Sequence, residues 1–330
     1  LELVALEDEN HDRELRTRAI SFGLQLRHAD LVLCANAAQR AELIAAAARP
    51  GRTGRTLDID PLVVPFGISA VPPPTGRRPL RERFQQIRET DQVVFWWGTV
   101  WRWLDAETVI RAFAQIASVR PEIKLVISAG KPPNGNNRRF EATDEAIALA
   151  RELGLYGSSV LFLDEWISYD DRHEYMAEAT IGVTLHRSSR EAELAARARY
   201  MDYLAAELPC VLGRGDETAA DFEAAGYATL LDRPDPGLLA SALLGLLDDP
   251  DQLAAKRAAG RRLAAERRWS AVGRTLRNAV SDLLEQDRAP TQGTLGLLAA
   301  TASYYRHRVA DEFAEARSHG RKYGAAEGVS

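Results

Sequence analysis

Short apolar runs alternate along the chain with stretches whose apolar positions recur every three to four residues, the signature of a parallel α/β sheet. A helix is predicted over His11 to Leu26, then a strand in LVLCA and a second helix in AAQRAELIAAAA. A further strand, PLVVPFG, precedes VPPPTGRRP, whose prolines and glycine break any regular element. From Val93 the rhythm tightens. VVFWWG, KLVISAG, SVLFLDEW, IGVTLH and PCVLGRG read as strands, and between them lie the helical patterns AETVIRAFAQIASV, FEATDEAIALARELG, DDRHEYMAEA and AELAARARYMDYLAAE. Five such βα units between Val93 and Ala220 suffice for one complete Rossmann-like domain. After them the pattern is helical, through GLLASALLGLLDD and QLAAKRAAGRRLAAERRW, and GLLAATASYYRHRVADEFAEA predicts one more amphipathic helix.

This reading divides the chain into residues 1–75, part of an α/β domain; 76–89, a linker; 90–285, the Rossmann-like domain; and 286–330, a C-terminal helix returning toward the first part. The first portion is too short to complete a domain by itself. It begins LELVALEDEN, without Met, and reads as the later part of a longer domain.

The length of 330 residues fits two domains, and the composition, 46% hydrophobic and 27% charged, excludes disorder and disulfide scaffolds. A net charge of −5 argues against a nucleic-acid binder. No apolar stretch approaches the ~20 residues of a membrane span, and contact with a membrane surface stays open. Cys34 and Cys210 each lie in an apolar run, as buried free thiols do, which suits a reducing, cytoplasmic compartment. Nearly all the basic residues are arginine, which makes planar, bidentate contacts to phosphate and carboxylate. G-x-G-x-x-G after an early strand, the phosphate-loop lysine, H-E-x-x-H and G-x-S-x-G are all missing, as is any metal-spaced Cys/His set.

Several segments, taken in order, carry a resemblance. They are PFGIS (65–69), FWWGTVWRWLDAETVIRAFAQI (95–116), RPEIKLVISAG (120–130), SVLFLDEWISYDDRHEYMAEATIGVTLH (159–186) and MDYLAAELPCVL (201–212). The chain resembles the retaining glycosyltransferases of GT-B fold known as group 1 or family 4. Trp101, Trp103, Leu185, His186, Arg197 and Arg199 are similar to the pattern of a bacterial subgroup. The resemblance implies a GT-B-like fold, with one complete Rossmann-like domain and a partial N-terminal one. It implies transfer of a sugar, with retention, from a nucleotide diphosphate sugar to an acceptor hydroxyl on a glycan, a lipid-linked molecule or a small molecule. No metal or other cofactor is implied. The other reading is a binding protein that kept this fold and lost turnover.

In doubly wound sheets ligands sit at the carboxyl ends of the strands, so the loops after Gly98, Gly130, Glu165 and His186 are expected to line one pocket. Gly98 either lets backbone amides approach a phosphate or serves as a plain turn. Where the family places an arginine just after this glycine and a lysine six positions after it, this chain has Thr99 and Leu104. Arg102, or Arg197 and Arg199, could restore the charge, and Arg102 is equally readable as a solvated loop residue. Glu165, Trp166 and Ile167 stand where the family reads the base, with Trp166 either a stacking face or a packed aromatic. Asp202 occupies the ribose-binding position, its alternative being a solvated helix carboxylate. The acid expected eight residues earlier is Leu194; the nearest acids are Glu193 and Glu191, and Glu191 is the catalytic candidate. His186 replaces a serine and could donate to phosphate or sugar, or simply end its strand.

Overall fold

The computed structural model describes residues 11–48, 57–130 and 141–285. The expected helix over 286–330 lies outside them, as do residues 1–10, 49–56 and 131–140. Two compact units are present. One comprises residues up to Cys34, Gln39–Val63 and the chain from Arg277; the other, Ala35–Ala38 and Val64–Leu276.

In the first unit, helix α1 (His11–His28) leads to strand β1 (Leu33–Cys34), and most of α2 (Ala37–Ala47) leads to β2 (Leu62–Val63). The two strands pair in parallel, Leu33 opposite Leu62. Both are shorter than their apolar runs, LVLCA and PLVVPFG. Pro61 and Pro65 flank β2 and have no N–H to extend the ladder.

The second unit holds six parallel strands: β3 (Gln92–Trp96), β4 (Ile123–Ser128), β5 (Val160–Leu163), β6 (Ile181–Thr184), β7 (Cys210–Gly213) and β8 (Ala228–Leu231). Their spatial order is β5-β4-β3-β6-β7-β8. Numbered from β3 as first, this is 3-2-1-4-5-6, the doubly wound Rossmann order. Each strand is buried on both faces, which is why these runs are continuously apolar rather than alternating.

Alternate side chains feed two cores. Val94, Trp96, Leu125, Ile127 and Val183 pack with helices α4 (Ala106–Val119), α5 (Glu141–Glu152) and α10 (Pro236–Leu247). Val93, Phe95, Val126, Leu161 and Leu212 face the opposite layer. That layer contains α3 (Pro79–Arg83), α6 (Arg172–Glu178), α8 (Ala198–Ala205), α9 (Glu217–Ala224) and α11 (Pro250–Glu266).

Three expectations need correction. Residues 76–89 are not a bare linker, because α3 lies within them and Leu80 and Ile87 are buried in the second core. A sixth strand, β8, and helix α9 were not predicted. The helix expected across Ala192 to Glu207 is two helices, α7 (Arg190–Leu194) and α8, and at the break Arg197 is extended (φ −89°, ψ 107°). Arg197 is buried there between two carboxylates, an arrangement that a continuous alanine-rich helix would not provide. The last described helix, α12 (Trp269–Glu285), straddles the division between the units at Arg277.

Candidate functional site

Strand order reverses between β3 and β6, and their backbones pair only at Val94–Ile181 and Phe95–Gly182. Beyond those pairs Tyr203 of α8 fills the gap. Its ring lies so close to Gly182 that a Cβ there would sit 2.8 Å from it. The hydroxyl donates toward the carbonyls of Val183 (3.0 Å) and Phe95 (3.2 Å) and accepts from the Trp97 N–H (3.0 Å). Burial pushes this phenol up to about 12, so it keeps its proton at neutral pH. One buried hydroxyl therefore satisfies the polar backbone that the diverging strands leave behind.

Above this point lies the Gly98–Thr99 turn. Gly98 adopts φ +82°, a conformation that strains any residue with a Cβ. Arg199 reaches the turn from α8: its Nη2 donates to the Thr99 carbonyl at 3.0 Å, and its guanidinium stands 5.7 Å from the Trp96 ring centre. Nη1 is buried with no hydrogen-bond partner, and among the described residues no carboxylate forms an ion pair with Arg199. Burial pulls its pKa down to about 10, which leaves it a cation at neutral pH.

Arg197 is different. Its Nη2 donates to Glu191 at 3.0 Å, and its Nε stands 3.8 Å from Asp216. Arg102 is ion-paired to Glu141 at the start of α5.

The loop after β6 is tied to the loop after β3. Leu104 and His186 form an antiparallel bridge, the Asp105 N–H donates to the Leu185 carbonyl, and the Arg187 N–H to that of Trp103. Trp101 and Trp103 stack face to face at 4.8 Å on the same loop. His186, expected as a ligand to phosphate or sugar, is instead sealed in at 2% side-chain exposure. Its ring packs against Gly213 and Gly215, and its Nε2 faces Asp216 at 3.7 Å. It is not presented to an open crevice. Burial, aided by the Arg197 charge, pulls its pKa down to about 4, so the imidazole is neutral.

Asp216 caps α9 by accepting from the Ala219 N–H at 2.8 Å, and burial pushes its pKa up to about 6. His186 Nε2, Arg197 Nε, Tyr200 Oη and Asp216 Oδ2 are all buried without a hydrogen-bond partner.

Asp202 is mostly buried and paired. Its Oδ1 accepts from Arg172 Nε and its Oδ2 from Trp97 Nε1, each at 2.9 Å. Arg172 opens α6 and lies over the Tyr169 ring, in the loop that also carries Trp166. Trp166 is 53% exposed, whereas the Ile167 side chain is buried in the second core. This loop presses on Gly130, where an added Cβ would fall 2.1 Å from the Glu165 carbonyl oxygen.

Gly98, Thr99, Arg199 and Asp202 thus gather around the end of β3, and Glu191, Arg197 and His186 form a second cluster beyond the end of β6. Sequence reasoning missed Arg172, Tyr203 and Asp216. Only Asp216 had a local signal, as a cap ahead of the helical ETAADFEA. Among the described residues no group of three or more His, Cys, Asp or Glu is placed to hold a metal ion, and no helix is long and apolar enough to cross a membrane.

A six-stranded doubly wound sheet in this order defines a Rossmann-like architecture. Solved structures share it. HepE from Anabaena, in complex with UDP and glucose, superposes with a TM-score of 0.63 at 18% identity, over 84% of this chain and 69% of that one. Sucrose-phosphate synthase from Thermosynechococcus elongatus gives 0.60 at 19% identity, over 85% of this chain and 63% of that one. WaaG, a glycosyltransferase involved in lipopolysaccharide biosynthesis, gives 0.54 at 20% identity, over 71% and 58%. The chain therefore spans about three fifths to seven tenths of the length of these proteins. No protein-family model and no curated protein sequence matches it. The fold is that of the GT-B glycosyltransferases, α/β with parallel sheets.

Proposed function

We propose that the chain transfers a sugar from a nucleotide diphosphate sugar to an acceptor hydroxyl, with retention of anomeric configuration. The observation that carries this reading is Arg199, a buried guanidinium without a carboxylate partner among the described residues, laid on the Gly98–Thr99 turn at the switch point. A cation so placed favours an anion. In glycosyl transfer the leaving diphosphate gains negative charge as the bond to the sugar breaks, and a preorganised cation stabilises that charge with little rearrangement. Arg199 supplies the charge missing at Thr99 and Leu104, and no metal or other cofactor is needed for that role.

Asp202 suits the ribose. Each of its oxygens takes one hydrogen bond from the protein and keeps acceptor capacity for one of two vicinal hydroxyls. The exposed Trp166 offers a stacking face for the base. Glu191 is the acid nearest the sugar in this reading. A glycan, a lipid-linked molecule or a small molecule would accept the transferred residue. HepE was solved with UDP and with UDP-glucose, which makes these the first compounds to try.

The test is calorimetric titration of the full chain with UDP, GDP and ADP. Binding of at least one is expected, and Arg199→Ala should weaken it by about 1.5–3 kcal/mol, the worth of a hydrogen bond to a charged group. A wild-type chain that binds none of the three, or an Arg199→Ala chain that binds as well as wild type, overturns the proposal. Where transfer is detected, NMR of the product's anomeric proton distinguishes retention from inversion.

A further inference from the structure

We infer that Arg197 is a positioning residue that holds the Glu191 carboxylate beyond the end of β6, leaving Arg199 as the anion ligand of the pair. The inference rests on the donor site proposed above.

Two residues apart, the arginines face different ways because the backbone changes between them. Arg197 is extended and precedes α8, so its side chain turns back toward α7 and the cap of α9. Arg199 is already helical and reaches the Gly98–Thr99 turn. Their charge environments are opposite. Arg197 sits between Glu191 at 3.0 Å and Asp216 at 3.8 Å, all three side chains being at most 12% exposed. A phosphate approaching Arg197 would meet a carboxylate already in place, and in a buried setting like charges repel strongly. No carboxylate stands within ion-pair distance of Arg199 among the described residues, and Asp202, already paired to Arg172, acts on it only at longer range.

Glu191 is held from two sides. Its guanidinium partner fixes the carboxylate, and the Ser189 oxygen accepts from the Ala192 N–H at 3.2 Å, anchoring the turn that carries it. The Glu191 turn follows β6, on the other flank of the switch point from Thr99. With the diphosphate on Arg199, the part of the donor that extends toward Glu191 is the sugar.

The probes are UDP, GDP and ADP with their glucose esters, titrated into the full chain, and the readout is the affinity ratio of sugar ester to free diphosphate. Arg199→Ala should weaken ester and diphosphate together, at least tenfold, leaving the ratio as it was. Arg197→Ala and Glu191→Gln should each lower the ratio at least fivefold, and Arg197→Lys should lie between Arg197→Ala and wild type. The double variant Arg197→Ala/Glu191→Gln should be no worse than the poorer single one, because both remove one arrangement. If Arg197→Ala does not fold, Arg197→Lys and Glu191→Gln complete the same cycle. The inference is overturned if the Arg197 variants weaken diphosphate and ester equally, as Arg199→Ala does, or if the Arg197 and Glu191 effects multiply. A wild-type chain that binds no diphosphate overturns the proposed function and this inference with it.

Discussion

Replacing Asp216 with asparagine should make the protein sensitive to mild acid in a way the wild type is not. His186 and Asp216 face each other at 3.7 Å, and burial moves their ionisations in opposite directions. His186 falls from 6.5 to about 4, with Arg197 lowering it further and Asp105 acting against that. The native state therefore resists protonating the ring, and stability is lost as pH drops from 6.5 toward 4. Asp216 rises from 3.8 to about 6; the Arg197 charge and the Tyr200 hydroxyl oppose that rise without cancelling it. Here the native state favours the proton, so stability is gained as pH drops from 6 toward 4. Each displacement exceeds two pH units, which at about 1.4 kcal/mol per unit corresponds to about 3 kcal/mol. Over the same window the two contributions offset one another in the wild type.

The asparagine amide would still cap α9 through its side-chain oxygen, so the fold should persist. The variant removes only the compensating slope. Urea denaturation followed by circular dichroism at pH 6.5, 5.5 and 4.5 should show Asp216→Asn losing about 2 kcal/mol more than wild type across the series. Surface carboxylates titrate alike in both proteins and cancel in the difference. Midpoints that shift in parallel for the two proteins would refute the reasoning.

Two further outcomes follow from packing at the carboxyl ends of the strands. Tyr203→Phe should cost about 1–3 kcal/mol in denaturant, because the Trp97 N–H and the Phe95 carbonyl lose their shared hydroxyl in a dry environment; a stability equal to wild type would mean that the backbone finds other partners. Gly130→Ala should destabilise by about 1–3 kcal/mol and displace the Trp166 loop, since its Cβ would lie 2.1 Å from the Glu165 oxygen; an unaltered midpoint and Trp166 fluorescence would show that the loop yields freely.

Local pattern sufficed wherever an element is made by its own residues. Helix α4 runs over Ala106–Val119, the span read from its apolar periodicity, and Asp105 caps it by accepting from the Thr108 N–H. The apolar cores of the strands from β3 to β7 were legible because a strand buried on both faces leaves an uninterrupted apolar run. Their parallel order followed from the helices between them, and the gathering of their carboxyl ends at one edge from that order. β8 escaped notice because ATLL is only four residues long and leads into leucine-rich helices, where periodicity cannot separate strand from helix.

What the sequence could not decide were the partnerships between distant residues. Asp202 as an isolated letter reads equally as a ribose acceptor or a solvated helix carboxylate; in the folded chain it anchors Arg172, thirty positions away. β6 stops at Thr184, two residues short of His186, and β7 and the α9 cap close over the His186 ring and change it from a candidate donor into a neutral, buried ring. Arg197 and Arg199 look interchangeable in a run of alanines. A break in the helix, invisible to local propensity, turns one toward two carboxylates and leaves the other in no ion pair among the described residues. Propensity and period are properties of neighbouring residues, whereas desolvation and charge pairing depend on which distant groups the fold brings within a few ångströms, and only the tertiary structure decided those.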